Sequence, residues 1–260
     1  MYLRESGDLP DRTAELVLDR PAAMGALDTE TAAALARAGS ELASRGDLSA
    51  VLLTSTAERA FCVGADLKER AAFTDEQMLA QHQVFADAFG SLYALPMPLI
   101  AVVRGYALGG GFELALSADL VVADRTAEFA LPEVGVGLVP GGGGTQLLAR
   151  RLGLAVASEV ILAGSRISAE RARELGLVCR LGDDARATAI ELAAAVAAKA
   201  PTALRAAKQA LREGYGRPLV EGLAVEDAAW RRAVASPDRR EGIAAFVAKR
   251  APAWEPEARR

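Results

Sequence analysis

The sequence predicts a mixed α/β core followed by a helical C-terminal part. Three observations carry that expectation. Strand-length apolar runs alternate with helical periodicity through the first half, Gly-rich turns follow several of the strands, and from Gly144 onward helical segments succeed one another with few strand candidates. At 260 residues the chain is one large domain or one domain with an appendage, long enough to bury a core without disulfides. Its 52% hydrophobic and 25% charged residues match an ordinary globular protein and exclude disorder, collagen and a disulfide scaffold.

The elements follow in order. Ala14-Glu-Leu-Val-Leu-Asp19 reads as a strand that stops at Pro21. Asp28 is placed to cap a helix running to about Ser44, with Leu35 and Leu42 on one face. The apolar run from Leu48 to Thr54 has strand length. Thr74 with Gln77 forms a capping-box pattern for a helix to about Leu95, where Pro96 and Pro98 stop it. Leu99-Ile-Ala-Val-Val103 is a buried strand, and Leu120-Val-Val-Ala123 and Glu128-Phe-Ala-Leu131 add two more. Helices are then expected over 145–152, 156–163, 169–175, 184–199, 202–213, 219–235 and 237–249. Gly176 sits where a C-cap glycine belongs, and Ser236-Pro237 supplies an N-cap followed by proline at the first helical position. This divides the chain into a core, 1–195, and a C-terminal helical part, 196–260.

Composition narrows the function. Thirty basic against 34 acidic residues give a net charge of −4, so no nucleic acid partner held by bulk charge is expected. Cys62, Cys179 and His82 are too few for a Cys/His zinc site, and both thiols are expected to be buried and reduced. The first 19 residues are too charged for a signal peptide, and the apolar stretch 97–122 is broken by Arg104, Glu113 and Asp119. A cytoplasmic protein with no membrane partner is expected. His82, in the polar run Ala80-Gln-His-Gln83, is expected on a solvated helix face.

Three glycine-containing turns stand out: Phe61-Cys-Val-Gly-Ala-Asp-Leu-Lys-Glu69, Gly105-Tyr-Ala-Leu-Gly-Gly-Gly-Phe-Glu113 and Val139-Pro-Gly-Gly-Gly-Gly-Thr145. None is a P-loop or a dinucleotide fingerprint, because the lysine and the last glycine of those motifs are missing. A glycine turn that opens a helix after a strand presents unpaired N–H groups instead, suited to a developing oxyanion. The helix opening at Gly110 and the turn at Gly64-Ala65 together offer two such donors. Glu113 and Glu133 lie in apolar, glycine-rich surroundings that raise a carboxyl pKa. Two such carboxylates beside an oxyanion hole suit proton transfer next to a carbonyl. No Gly-x-Ser-x-Gly elbow or Ser-x-x-Lys motif offers a competing nucleophile.

These segments, in order, resemble the enoyl-CoA hydratase/isomerase (crotonase) family along almost the whole chain. Leu18-Asp-Arg-Pro21 with Met24-Gly-Ala-Leu27 is similar to its first CoA-contacting segment, although Gly25 replaces the usual Asn and Ala22 a frequent basic residue. The turns at 61–69 and 105–116 are similar to its two oxyanion loops. Leu131-Pro-Glu133 with the glycine run to Gln146, and the tail from Ser236 to Trp254, complete the match. The resemblance implies a β-β-α spiral core with a C-terminal helical trimerisation region, assembled as a homotrimer or a hexamer of two trimers. It implies that the Ala65 and Gly110 N–H groups bind a thioester oxygen, and that Ala26, Asp66, Leu67 and Lys68 contact CoA. It further implies that Glu113 activates water, Glu133 delivers a proton at Cα, and Gly141 helps hold the water. CoA is then part of the substrate, with no separate cofactor or metal. Both glutamates together imply hydration of a trans-2-enoyl-CoA to a 3-hydroxyacyl-CoA. A specialised dehydratase, a double-bond isomerase, or a catalytically silent scaffold on the same fold are the rivals.

Overall fold

Ten strands form two sheets in the computed structural model, which describes residues 1–255. The strands are β1 (Tyr2–Arg4), β2 (Thr13–Leu18), β3 (Ala50–Ser55), β4 (Ala60–Cys62), β5 (Leu99–Val103), β6 (Tyr106–Leu108), β7 (Leu120–Asp124), β8 (Glu128–Ala130), β9 (Ile167–Ser168) and β10 (Arg180–Gly182). The larger sheet runs β1-β2-β3-β5-β7-β10, parallel except for β1 at its edge. The smaller runs β4-β6-β8-β9, parallel except for β9.

The chain alternates between the sheets. β3, β5 and β7 lie in the larger sheet, and each is followed by a short strand (β4, β6, β8) in the smaller. Helices then close each turn: α2 (Leu67–Arg70) and α3 (Asp75–Tyr93) after β4, α4 (Gly110–Ser117) after β6, and α5 (Gly144–Leu152), α6 (Leu154–Leu162) and α7 (Ala169–Glu174) beyond β8. This is the β-β-α spiral. Parallel strands covered on both faces must be apolar on both, and β5 is buried at every position. On one face α8 (Ala185–Ala197) presents Ala185, Ala189 and Ala193 to Leu52, Ile100 and Val122. A separate, larger apolar cluster joins α1 (Thr29–Ala43), α3 and α4 to the strands, and in it Phe112 and Phe129 pack with ring centroids 5.2 Å apart.

The helix boundaries follow their local chemistry. Asp28 caps α1 by accepting from the Thr31 N–H, and Leu35 and Leu42 are buried. Thr74 and Gln77 form the reciprocal capping box of α3. Ser236 caps α11 (Pro237–Val247). The residue boundary expected at 195 falls inside α8, which packs on the sheet. Beyond it, α9 (Pro201–Gly214) is fastened to the core through charge. Lys208 Nζ donates to the Met97 carbonyl at 2.8 Å and pairs with Asp119 at 2.6 Å, and Arg212 pairs with the same carboxylate at 2.7 Å. Residues 256–260 of the expected C-terminal part lie outside the described residues.

The structure also adds elements that periodicity did not reveal. β1, β4, β6, β9 and β10 are two or three residues long, too short to show alternation. Cys62 is buried, as expected for strand-end packing, whereas Cys179 is partly exposed and corrects the expectation for that thiol.

Candidate active site

The two glycine turns meet. Gly64 has φ +87°, and a Cβ there would stand 3.0 Å from the Gly110 nitrogen, so only glycine leaves that N–H open. Gly111 lies against β4 so closely that a Cβ would fall 1.9 Å from the Cys62 carbonyl oxygen. Close backbone approach therefore fixes α4 beside the turn at residues 63–66. Leu27 pairs with the outer edge of that turn, donating to the Gly64 carbonyl and accepting from the Asp66 N–H. Ala65 N–H lies between those two bonds, and Gly110 N–H is the first of α4. Neither meets a protein acceptor among the described residues. Both residues line one cavity of about 440 Å³.

Glu113 and Glu133 line the same cavity. Their surroundings are unequal. Glu113 is buried (3% exposed) on the first turn of α4, and its Oε1 accepts from the Gly142 N–H at 2.7 Å and the Gly144 N–H at 2.8 Å. Burial raises its pKa, while the two amides, His82 and Arg70 pull it back. Glu133 opens a one-turn 3-10 helix, Glu133–Val136, after Pro132. Its Oε2 is buried without a hydrogen-bond partner. Burial, and then the charge of Glu113, push its pKa from 4.5 up to about 7. So the amides favour the ionised form of Glu113, and the bare oxygen favours the protonated form of Glu133.

The remaining expected residues fall around this centre. Gly141 lines the cavity and touches the His82 ring, so closely that a Cβ would stand 3.0 Å from Cε1. Leu67 lines it too and is 58% exposed. Lys68 is exposed on α2, and Asp66 caps that helix and pairs with Arg20 at 3.1 Å. Ala26 is buried, and its carbonyl accepts from Arg20. Cys62 does not reach the chemistry as a thiolate, because burial pushes its thiol up to about 12. Among the described residues no cluster of His, Cys, Asp and Glu could hold a metal ion.

His82 is exposed on α3, as expected, and it also lines the cavity wall beside Gly141. Met78, Phe85 and Phe89 line the cavity with it. The 4-3-4 spacing of residues 78, 82, 85 and 89 puts them on one side of α3, and that periodicity was the available signal. Arg70, at the end of α2, is a further wall residue that sequence reasoning did not single out.

Known proteins resemble this chain over nearly its full length. Residues 10–257 match the family described as enoyl-CoA hydratase/isomerase. The chain is 42% identical over 241 residues to the 2,3-dehydroadipyl-CoA hydratase of Escherichia coli, covering 91% of this chain and 92% of that protein. Among solved structures, the enoyl-CoA hydratase of Bacillus anthracis superposes with a TM-score of 0.92 at 36% identity, covering 95% and 96% of the two chains. An enoyl-CoA hydratase from Polaromonas superposes with a TM-score of 0.90 at 34% identity, covering 97% and 99%. With its spiral of paired strands and a match over nearly its full length, the chain belongs to the enoyl-CoA hydratase/isomerase family.

Proposed function

We propose that the protein adds water across the double bond of a trans-2-enoyl-CoA to give a 3-hydroxyacyl-CoA. The observation that carries this reading is the unequal pair of carboxylates beside two free amides. The thioester oxygen accepts from Ala65 and Gly110, which polarise the conjugated system and stabilise the enolate-like state. Ionised Glu113 takes a proton from water as its oxygen bonds to C3. Protonated Glu133 supplies a proton to C2. One C–O and one C–H bond form, the C=C π bond is consumed, and a proton returning from Glu113 to Glu133 resets the pair. The two titrate as a coupled couple, so the assignment is of the pair.

The CoA portion runs past the exposed Lys68 and along the segment from Ala26 to Leu67 in this reading, with Gly141 beside the attacking water. The C-terminal helices form the assembly surface of a homotrimer, alone or doubled as a hexamer. Supporting this, α10 (Leu219–Ala235) and α11 leave Leu219, Val220, Leu223, Trp230 and Phe246 exposed, the last at 85%.

The test is the hydration of crotonyl-CoA and of a longer trans-2-enoyl-CoA, followed by loss of the conjugated-thioester absorbance. A protein with both Glu113→Gln and Glu133→Gln is the control. Rapid loss that disappears in the control supports the reading. No loss by the unaltered protein, with CoA esters still bound, overturns it in favour of double-bond isomerisation or another acyl-CoA reaction.

A further inference from the structure

The cavity wall also carries a cation, to which the proposed hydration assigns no bond-making role. Arg70 is half-buried at the end of α2 and lines the cavity with mainly apolar neighbours, among them Met78 and Phe85. Its orientation is fixed. The Nε donates to Gln81 Oε1 at 2.7 Å, and the guanidinium lies 5.2 Å from the centroid of the Phe85 ring. Gln81 is itself buried (2% exposed) and held by Thr29 and Glu69, each at 2.8 Å.

The neighbouring carboxylate does not pair with the guanidinium, although the charges of Glu69, Glu113 and Glu133 all act on it. Glu69 turns away and accepts from the Thr29 N–H at 3.0 Å and from Gln81. Among the described residues Arg70 forms no ion pair, and neither terminal nitrogen has a protein acceptor. A partly desolvated guanidinium whose two terminal nitrogens are free and whose stem is pinned is a preformed fork for a carboxylate. His82 lines the same wall, and its ring supplies a further N–H donor.

We propose that Arg70, assisted by His82, reads an anionic group on the acyl chain, so that the preferred substrate is a 2-enoyl-CoA whose chain ends in a carboxylate. This rests on the acyl-CoA hydration reading of the same cavity and narrows its substrate class. A neutral acyl chain leaves the fork unpaired in an apolar pocket, at a cost to binding. A terminal carboxylate fills it with two charge-assisted hydrogen bonds. The rival role for Arg70 is to balance the charge of Glu113 and Glu133, in which case an acyl carboxylate gains nothing.

The experiment compares 4-carboxybut-2-enoyl-CoA with its primary amide, equal in shape and differing in charge, and uses crotonyl-CoA as the third substrate. We expect kcat/KM to favour the carboxylate by about tenfold or more. Arg70→Met should bring the ratio close to one, and Arg70→Lys should restore part of it. The ratio is internal to each variant, so a general loss of activity does not disturb it, and thermal melting checks folding. Hydration of crotonyl-CoA with a carboxylate-to-amide ratio of one or below overturns this inference and leaves the hydratase reading intact. A ratio that survives Arg70→Met also overturns it. If none of the three esters is hydrated the hydratase reading fails. The saturated carboxylate and amide esters, compared by titration calorimetry, then still read the preference: equal affinities overturn the anion-binding role and tighter carboxylate binding supports it.

Discussion

Replacing Glu133 by Gln should remove activity and raise stability, and the second effect depends on pH. The buried Oε2 of Glu133 has no partner, and its carboxyl is held at about 7 against an ordinary 4.5. A group whose folded pKa lies above its unfolded value binds more protons when folded. It carries no penalty below about pH 4.5, costs stability as the pH rises towards 7, and costs its full amount above that. At ~1.36 kcal/mol per pH unit the full cost is roughly 3 kcal/mol before solvent screening. The carboxyl is only partly buried, so about 1–2 kcal/mol remains. For a chain of this size that corresponds to a Tm rise of about 2–6 °C in Glu133→Gln at pH 8. At pH 5 the gain should shrink to about a quarter, because the native carboxyl is already protonated there. Scanning calorimetry at the two pH values reads the difference. A variant that melts at or below the unaltered protein at pH 8, or gains equally at pH 5, refutes the argument. Hydration by the same variant should fall by about 10²–10⁴-fold.

Other outcomes follow from the same geometry. Gly110→Pro deletes one of the two free N–H groups and should cost about 10²–10³ in kcat, read in steady-state hydration with the melting temperature as control. Gly142→Ala places a Cβ 2.4 Å from Phe89 Cε2 and 2.8 Å from Glu113 Oε2. It should displace the base and reduce kcat, and an undiminished kcat would contradict the assigned position of Glu113. In the hydration direction kcat/KM should decline as the pH rises through about 7, where Glu133 loses its proton, and the pH–rate profile of the unaltered protein checks this. A maleimide should label Cys179 well before Cys62 in the native protein, since Cys62 is fully buried and its thiol is pushed up to about 12.

The legible part of the fold was the part with long-range periodicity or explicit caps. The capping box at Thr74 and Gln77, the Asp28 cap and the Ser236-Pro237 start were readable because a cap is local chemistry. β6 and β9 were not, since three residues and two residues carry no measurable alternation, and their pairing is imposed by the neighbouring strands. In the site, Glu113 stood out because a carboxylate in an apolar helix is costly unless it is held. The amides that hold it, at Gly142 and Gly144, lie 29 and 31 residues away, and sequence gave no pairing between them. His82 reads as an ordinary surface residue and Arg70 does not stand out, because their place on the cavity wall depends on how α2 and α3 are set around it. The inequality of the two carboxylates, on which the proposed roles of base and acid rest, likewise depends on hydrogen bonds that only the tertiary fold creates.

In the proposed reaction one eight-residue helix supplies both an oxyanion donor and the base. Gly110 begins α4, so its N–H is free by the rule of helix ends, and Glu113 sits within the first turn, where the positive end of the helix favours an ionised carboxylate. The same field favours negative charge on a thioester oxygen held at Gly110. Glu133 begins only a single 3-10 turn behind Pro132 and has no partner at its Oε2, and burial raises its carboxyl to about 7. The distance between the two oxyanion donors is then set by a residue that touches no substrate. Gly111 holds α4 against the Cys62 carbonyl, and any side chain there must push the helix away from the strand that leads into Ala65. Phe112, one residue further on, packs against Phe129 of the same sheet with ring centroids 5.2 Å apart. Two contacts of one short helix with one sheet, glycine on carbonyl and ring on ring, hold the Gly110 N–H beside Ala65.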